Sequence, residues 1–278
     1  MAVTTFIPEL WSARLIHALD ETHVAAKLVN RRYEGIIRAQ GDTVHINSIG
    51  AVTVSDYEAN TDIGEPQLLS VDDQTLVIDQ AKYFNFQVDD VDAAQAAGDL
   101  IDAAMGRAAQ ALGSVSDAYI LQTMADGAGT VIGGDRGMAL NADNVYAQIV
   151  ALRTVMDKNN VPENGRCLVI PPDVYALLLM DDRFVKASDG AVADDVLLRG
   201  SVGQAAGFRV WMSNNLPKDD DVFTVLALVP DAVTYAEQVV QPEAYRMEKR
   251  FADGVKGLHV YGCRVTEPAA VTAMHCTV

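Results

Sequence analysis

Residues 6–57 read FIPELWSARLIHALDETHVAAKLVNRRYEGIIRAQGDTVHINSIGAVTVSDY, and two periodicities meet within them. Pro8 sits where a helix can begin, at a first-turn position that needs no amide donor. Leu10, Ala13, Leu15, Ala18 and Leu19 follow at roughly helical spacing. After Gly41 the period becomes two: Val44 and Ile46 share one face, Val52 and Val54 another, with Gly50 a bulge or turn between them. An amphipathic arm running into a long hairpin with no core of its own is expected of a protein that embraces its neighbours.

Working outward, residues 42–81 carry Asp42, Asp56, Glu58, Asp62, Glu65, Asp72, Asp73 and Asp79 with neither Lys nor Arg. Gly64 and Pro66 mark a loop tip. On the return side Leu76 and Ile78 alternate with polar neighbours, and Phe84, Phe86 and Val88 continue the alternation. One extended, acidic β-hairpin is predicted. From Val91 to about Ala125 the pattern is helical. Ala94, Ala97, Ile101, Ala104, Ala108, Leu112, Val115 and Tyr119 predict one buried stripe, and Asp89, Asp90 and Asp92 suit the positive end of its dipole.

GAGTVIGG (127–134) lacks both the spacing and the preceding strand of a dinucleotide loop, and is expected to be a mobile connector. Asn141 is placed to cap a helix whose face is Val145, Ile149, Leu152 and Met156. Cys167–Ile170 reads as a buried strand, Pro171-Pro172 as a helix start, and Phe208, Val210 and Met212 as an alternating strand. Val222–Val229 and Val233–Val240 supply further strands. FADGVKGLHVYG (251–262) is expected to turn as a hairpin about Asp253-Gly254, with strands through Val265 and near Val271 to follow.

At 278 residues the chain can bury a substantial core. Half of it is hydrophobic, about a fifth is charged, and the formal net charge is -17. Such acidity opposes wrapping of duplex DNA, which needs a basic stripe, but not its enclosure inside a wall. The start lacks a basic, then apolar, export signal. The longest apolar run, near Val222–Pro230, is far short of the roughly 20 residues that span a bilayer, so no membrane association is expected. Cys167, Cys263 and Cys276 have no paired spacing and read as free thiols, Cys167 and Cys263 in buried strands. His17, His23, His45, His259 and His275 show no metal-ligand spacing. Neither a nucleophile elbow nor a phosphate loop occurs. A Cys167 nucleophile is the one enzymatic alternative, and the flanking Arg166 and Leu168–Ile170 favour a core strand instead. The chain is expected to be no enzyme and to need no cofactor and no metal.

The motifs FIPELWS (6–12), VNRRYE (29–34) and GDTVHI (41–46) resemble those of the major capsid proteins of tailed bacteriophages, of Hong Kong 97-type fold. The resemblance covers nearly the whole chain. It implies an α+β architecture: an N-terminal arm at 1–38, an extended E-loop hairpin at 39–82, and a P-domain strand and long spine helix at 83–125. An inserted A domain at 126–240 and P-domain return strands at 241–278 complete it. It also implies self-assembly into hexamers and pentamers of an icosahedral shell around double-stranded DNA. The chain would be made in the host cytoplasm and reside in the virion. An encapsulin-type compartment shell shares the fold and is the alternative.

Some relatives weld subunits through an E-loop lysine. Residues 39–81 contain none and Lys82 lies at the hairpin's base, so covalent cross-linking is not expected. No long, charged helical extension of the built-in scaffold kind is present, so a separate scaffolding protein is the expected partner, with a portal and decoration proteins. The intersubunit candidates are Trp11, Arg31, Arg32, Tyr57, Glu58, Asp62, Glu65, Arg246, Lys249, Arg250 and Lys256. The acidic tip is expected to dock on one of two basic surfaces of a neighbour, at 27–38 or 246–264.

Overall fold

The computed structural model describes residues 15, 17–19, 23–33, 41–49, 52–54, 56, 59, 66–68, 71–89, 100–181, 201–248 and 252–278. Within them the alternation after Gly41 becomes β1 (Thr43–Ile49), antiparallel to β2 (Val71–Val77) from Thr43 opposite Val77 to Ile49 opposite Val71. This hairpin is a two-stranded sheet by itself. A second sheet has three long antiparallel strands in the order β11 (Val233–Arg246), β12 (Ala252–Val265), β3 (Gln80–Asp89). The third is mixed and eight-stranded. Its path runs β4 (Thr130–Ile132), β13 (Val271–Thr277), β10 (Val222–Leu228), β6 (Cys167–Ile170), β8 (Phe208–Met212), β7 (Ser201–Ala205). The short β5 (Met138–Ala139) joins β13, and β9 (Lys218–Asp219) joins β10.

Helix α1 (Leu100–Asp126) ties the two larger sheets together. Its 27 residues reach roughly 40 Å at 1.5 Å each. Met105 and Ala109 pack with Leu15 and Val255 over the three-stranded sheet. Ile120, Leu121 and Met124 enter the main core with α2 (Val145–Lys158), β6, β8, β10 and β13. The stripe expected from spacing needs correction. Val115 is 46% exposed, and the buried face runs Met105, Ala109, Leu112, Ser116, Ile120 and Met124, with Asp117 beside it. A hydrophobic count misses that face because Ser116 on it and Asp117 beside it are polar and find partners in the arm segment. Residues 91–99, where the helix was expected to begin, lie outside the described residues, as does Gly50.

Other elements follow their sequence signals. In α2 the buried residues are Val145, Ile149, Leu152 and Met156. The cap expected at Asn141 falls instead on Asn144, which makes no side-chain capping bond, while the Asn141 side-chain oxygen accepts the Asp143 and Asn144 amides at 3.1 and 3.0 Å and closes the turn ahead of the helix. All four residues of β6 are buried, and α3 (Pro172–Met180) begins on Pro172. Of the alternating trio, Phe208 and Val210 are buried but Met212 is 41% exposed, and Trp211 turns inward instead.

Two expectations are overturned. The stretch 127–134 is not a loose connector: β4 within it pairs in parallel with β13, Thr130 opposite Thr272. Its glycines permit close approach. At Gly133, where φ is +97°, a Cβ would collide with the His275 carbonyl. Nor does the chain turn at Asp253-Gly254. Both lie inside β12, opposite Arg246 and Tyr245, and the turn falls between Arg246 and Ala252. Gly254 is there because the Tyr245 ring lies over it, and a Cβ would sit 2.5 Å from that ring.

Candidate assembly surfaces

The arm segment is fixed to the body by buried polar groups. His23 Nε2 lies 2.7 Å from Ser116 Oγ. The Val24 and Ala25 amides donate to Asp117 Oδ2 and Oδ1 at 2.8 and 3.0 Å. Asp117 thus caps the short 3-10 turn Ala25–Leu28 from a distant helix, satisfying amides that the turn itself leaves open. Burial outweighs those donors and raises the Asp117 carboxyl to about 6.

Further along, Asn30 exchanges backbone bonds with β11: its amide donates to Val233 O at 2.9 Å and its carbonyl accepts from Tyr235 N at 3.0 Å. Next to it, Arg31 Nη2 donates to Glu237 Oε1 at 2.6 Å. The other oxygen of Glu237 accepts from the Tyr235 hydroxyl at 2.7 Å and lies 2.9 Å from His259 Nε2. Burial pushes Glu237 up, but the His259 bond, the charges of His23 and His259 and the Tyr235 bond prevail and hold it at about 2. The arrangement is a clamp: charge-assisted bonds orient the arm on the sheet.

Among the described residues, the contacts that anchor the hairpin to the body lie towards its base. Val44, Ile46, Leu76 and Ile78 pack with Ala236 and Val260 of the three-stranded sheet. Arg264 Nη1 donates to Thr75 O at 2.8 Å, Gln74 Nε2 to Thr266 O at 3.1 Å, and Tyr119 Oη to Asp79 at 2.8 Å. Beyond the base Val54 is 92% exposed and Leu68 95%.

Of the residues singled out from sequence, Arg31 is spent on Glu237 inside the chain, and Arg32 lies 3.8 Å from Asp231 with both side chains largely in solvent. Lys256 pairs with Glu243 at 3.0 Å and stands 5.7 Å over the Tyr245 ring. Arg246 ends β11, so the described cations lie at opposite ends of that strand. Beside Lys256 a hollow of about 430 Å³ is lined by Tyr83, Phe84, Asn85, Glu243 and Leu258, with Tyr83 76% exposed. Trp11, Tyr57, Glu58, Asp62, Glu65, Lys249 and Arg250 lie outside the described residues. Sequence reasoning missed Ser116, Asp117 and Glu237, whose partners are 93, 92 and 206 positions away. No local spacing announces them.

Among the described residues no group of three His, Cys, Asp or Glu could hold a metal ion, and no helix is long and apolar enough to cross a membrane. Cys167, Cys263 and Cys276 are free and buried. A long helix joining a three-stranded and an eight-stranded sheet, with a separate hairpin and an arm clamped to the body, is the architecture of the Hong Kong 97-type capsid fold.

The family model described as phage capsid protein matches residues 73–274. A solved chain of Mycobacterium phage Che8 is 34% identical, with 90% of each chain covered and a TM-score of 0.71. The capsid structure of cyanophage P-SCSP1u is 18% identical at a TM-score of 0.70, over 92% of this chain and 88% of that one. A virus-like particle from Pyrococcus furiosus shares the fold at 14% identity and a TM-score of 0.60, over 96% and 98%. No curated protein matches. The chain belongs to the phage capsid protein family, as a major capsid protein of the tailed-phage type.

Proposed function

We propose that this chain forms the hexamers and pentamers of an icosahedral phage head that encloses double-stranded DNA without reading its sequence, assembled in the host cytoplasm with a separate scaffolding protein and a portal. The carrying observation is the hairpin: a two-stranded sheet that shares no strand pairing with the other two, with Val54 and Leu68 beyond its base in solvent, which an isolated chain gains nothing by exposing. In this reading 1–38 is the arm, 39–82 the E-loop, 83–125 and 241–278 the P domain, and 126–240 the A domain around the capsomer axis. The role is geometric, and no catalysis is assigned to it.

The acidic tip, Glu58, Asp62 and Glu65, docks on a basic surface of an adjacent copy. Its partner is one of two basic surfaces, the arm's end with Lys27, Arg31, Arg32 and Arg38 or the return strands with Arg246, Lys249, Arg250, Lys256 and Arg264. Negative-stain microscopy of the purified chain, alone and with scaffold, tests the reading: capsomers, tubes or shells are expected, and a monodisperse monomer at every concentration would end it. The fold shared with the Pyrococcus furiosus particle supports a second reading, a cellular compartment with protein cargo. A neighbouring terminase or portal gene favours the first, and a cargo-enzyme gene the second.

A further inference from the structure

A hollow of about 230 Å³ lies where the Ala25–Leu28 turn meets the first residues of β6 and β8. Lys27, Arg166, Cys167, Arg209 and Trp211 line it, and among its described lining residues there is neither Asp nor Glu. In a chain of net charge -17 such a cluster is unusual. Arg166 forms a fixed wall: its guanidinium bonds Asp157 Oδ1 at 2.6 Å, Pro162 O at 2.9 Å and Val161 O at 2.5 Å. Arg209 differs. Its side chain is exposed and makes no hydrogen bond or ion pair with the described residues, although its backbone amide donates to Arg166 O at 2.9 Å. The indole Nε1 of Trp211 is buried and has no acceptor among them. Burial pushes the Cys167 thiol up, and the Arg209 charge opposes that rise.

We propose that this hollow binds an oxyanion, a phosphate or carboxylate group held between Arg209 and Lys27, which joins the arm turn to β8. A guanidinium presents a planar fork suited to paired oxygens, and a lysine beside it adds a point charge. Two sources supply that chemistry: a free anion, or an acidic side chain of a second copy. The hollow itself does not depend on the shell reading.

The test uses the unassembled full-length chain carrying Trp11→Phe, which leaves Trp211 as its sole tryptophan. Inorganic phosphate is titrated against chloride at constant ionic strength. The expected result is a saturable change in Trp211 emission, whose half-saturation rises about tenfold or more in Arg209→Ala and in Lys27→Ala, the scale of one charge-assisted contact. Both side chains are exposed, so the variants should melt like the parent in chloride. Should the tryptophan variant fail to fold, the wild-type melting temperature in phosphate relative to Arg209→Ala reads the same site, because general salting-out raises both alike. In assembled particles, a lost phosphate response that returns on disassembly identifies a neighbour's carboxylate, whereas a retained response identifies a free anion. No saturable response in the unassembled chain, or an unchanged half-saturation in Arg209→Ala, overturns the proposal.

Discussion

Glu237 and Asp117 are both buried carboxylates, and they pull the stability of this chain in opposite directions. Glu237 titrates at about 2 in the folded chain, below the ordinary 4.5. Its contribution is therefore complete above the ordinary value and is lost as pH falls through about 2. Asp117 titrates at about 6, above the ordinary 3.8. Its ionised form burdens the fold fully above pH 6, and that burden lifts as pH falls toward 4. Each effect is worth roughly 3 kcal/mol by linkage. Melting temperatures of the unassembled chain from pH 2 to 8 should show both against a shared background of net-charge repulsion. Asp117→Asn should remove the gain between about pH 6 and 4, and Glu237→Gln the loss below pH 4.5. At neutral pH Glu237→Gln should also cost about 3 kcal/mol, since it strands Arg31 and His259 beside a neutral group. Identical profiles for all three proteins would refute the assignment.

Among the elements, the glycines that the strands require can be ranked by what surrounds them. Alanine at 254 meets an aromatic ring that can swing aside, and should cost about 1–3 kcal/mol. Alanine at 133 meets a backbone carbonyl at positive φ, where nothing can yield, and should cost more. Denaturant midpoints of the two variants read this order directly. Those positions also show where the sequence stops being informative. The hairpin pairing, the face of α2, strand β6 and the Pro172 helix start were all readable, because alternation, helical spacing and proline act over a few residues. The turn placed at Asp253-Gly254 was misread because a glycine beside an aspartate signals a turn locally, whereas this glycine answers a cross-strand ring. The buried face of α1 was misread for the same reason: Ser116 and Asp117 are interior only because His23 and two arm amides reach them. The contact candidates came from charge and family resemblance, and charge alone does not reveal that Arg31 is already occupied.

For the whole molecule, charge and interlocking are expected to govern association. Replacing Glu58, Asp62 and Glu65 together with lysine should impair assembly, and added salt should weaken the wild-type contact by screening. Each exposed pair is worth about 0–1 kcal/mol, a small term that a shell repeats in every subunit. Unimpaired assembly of the triple variant at low salt would dispose of the docking proposal. Because 39–81 holds no lysine, particles boiled in denaturant and reductant should resolve to single chains, and a surviving ladder of multimers would contradict this. The three thiols bear on what happens to such a particle after it leaves a cell. Burial pushes Cys263 to about 12 and Cys276 to about 11, and raises Cys167 as well. At neutral pH only about one in ten thousand or fewer of the first two groups is the reactive thiolate. Wherever a wall made of this chain meets oxygenated water, Cys263 and Cys276 should therefore not age: neither sulfenic acid nor an adventitious cross-bridge is expected at either.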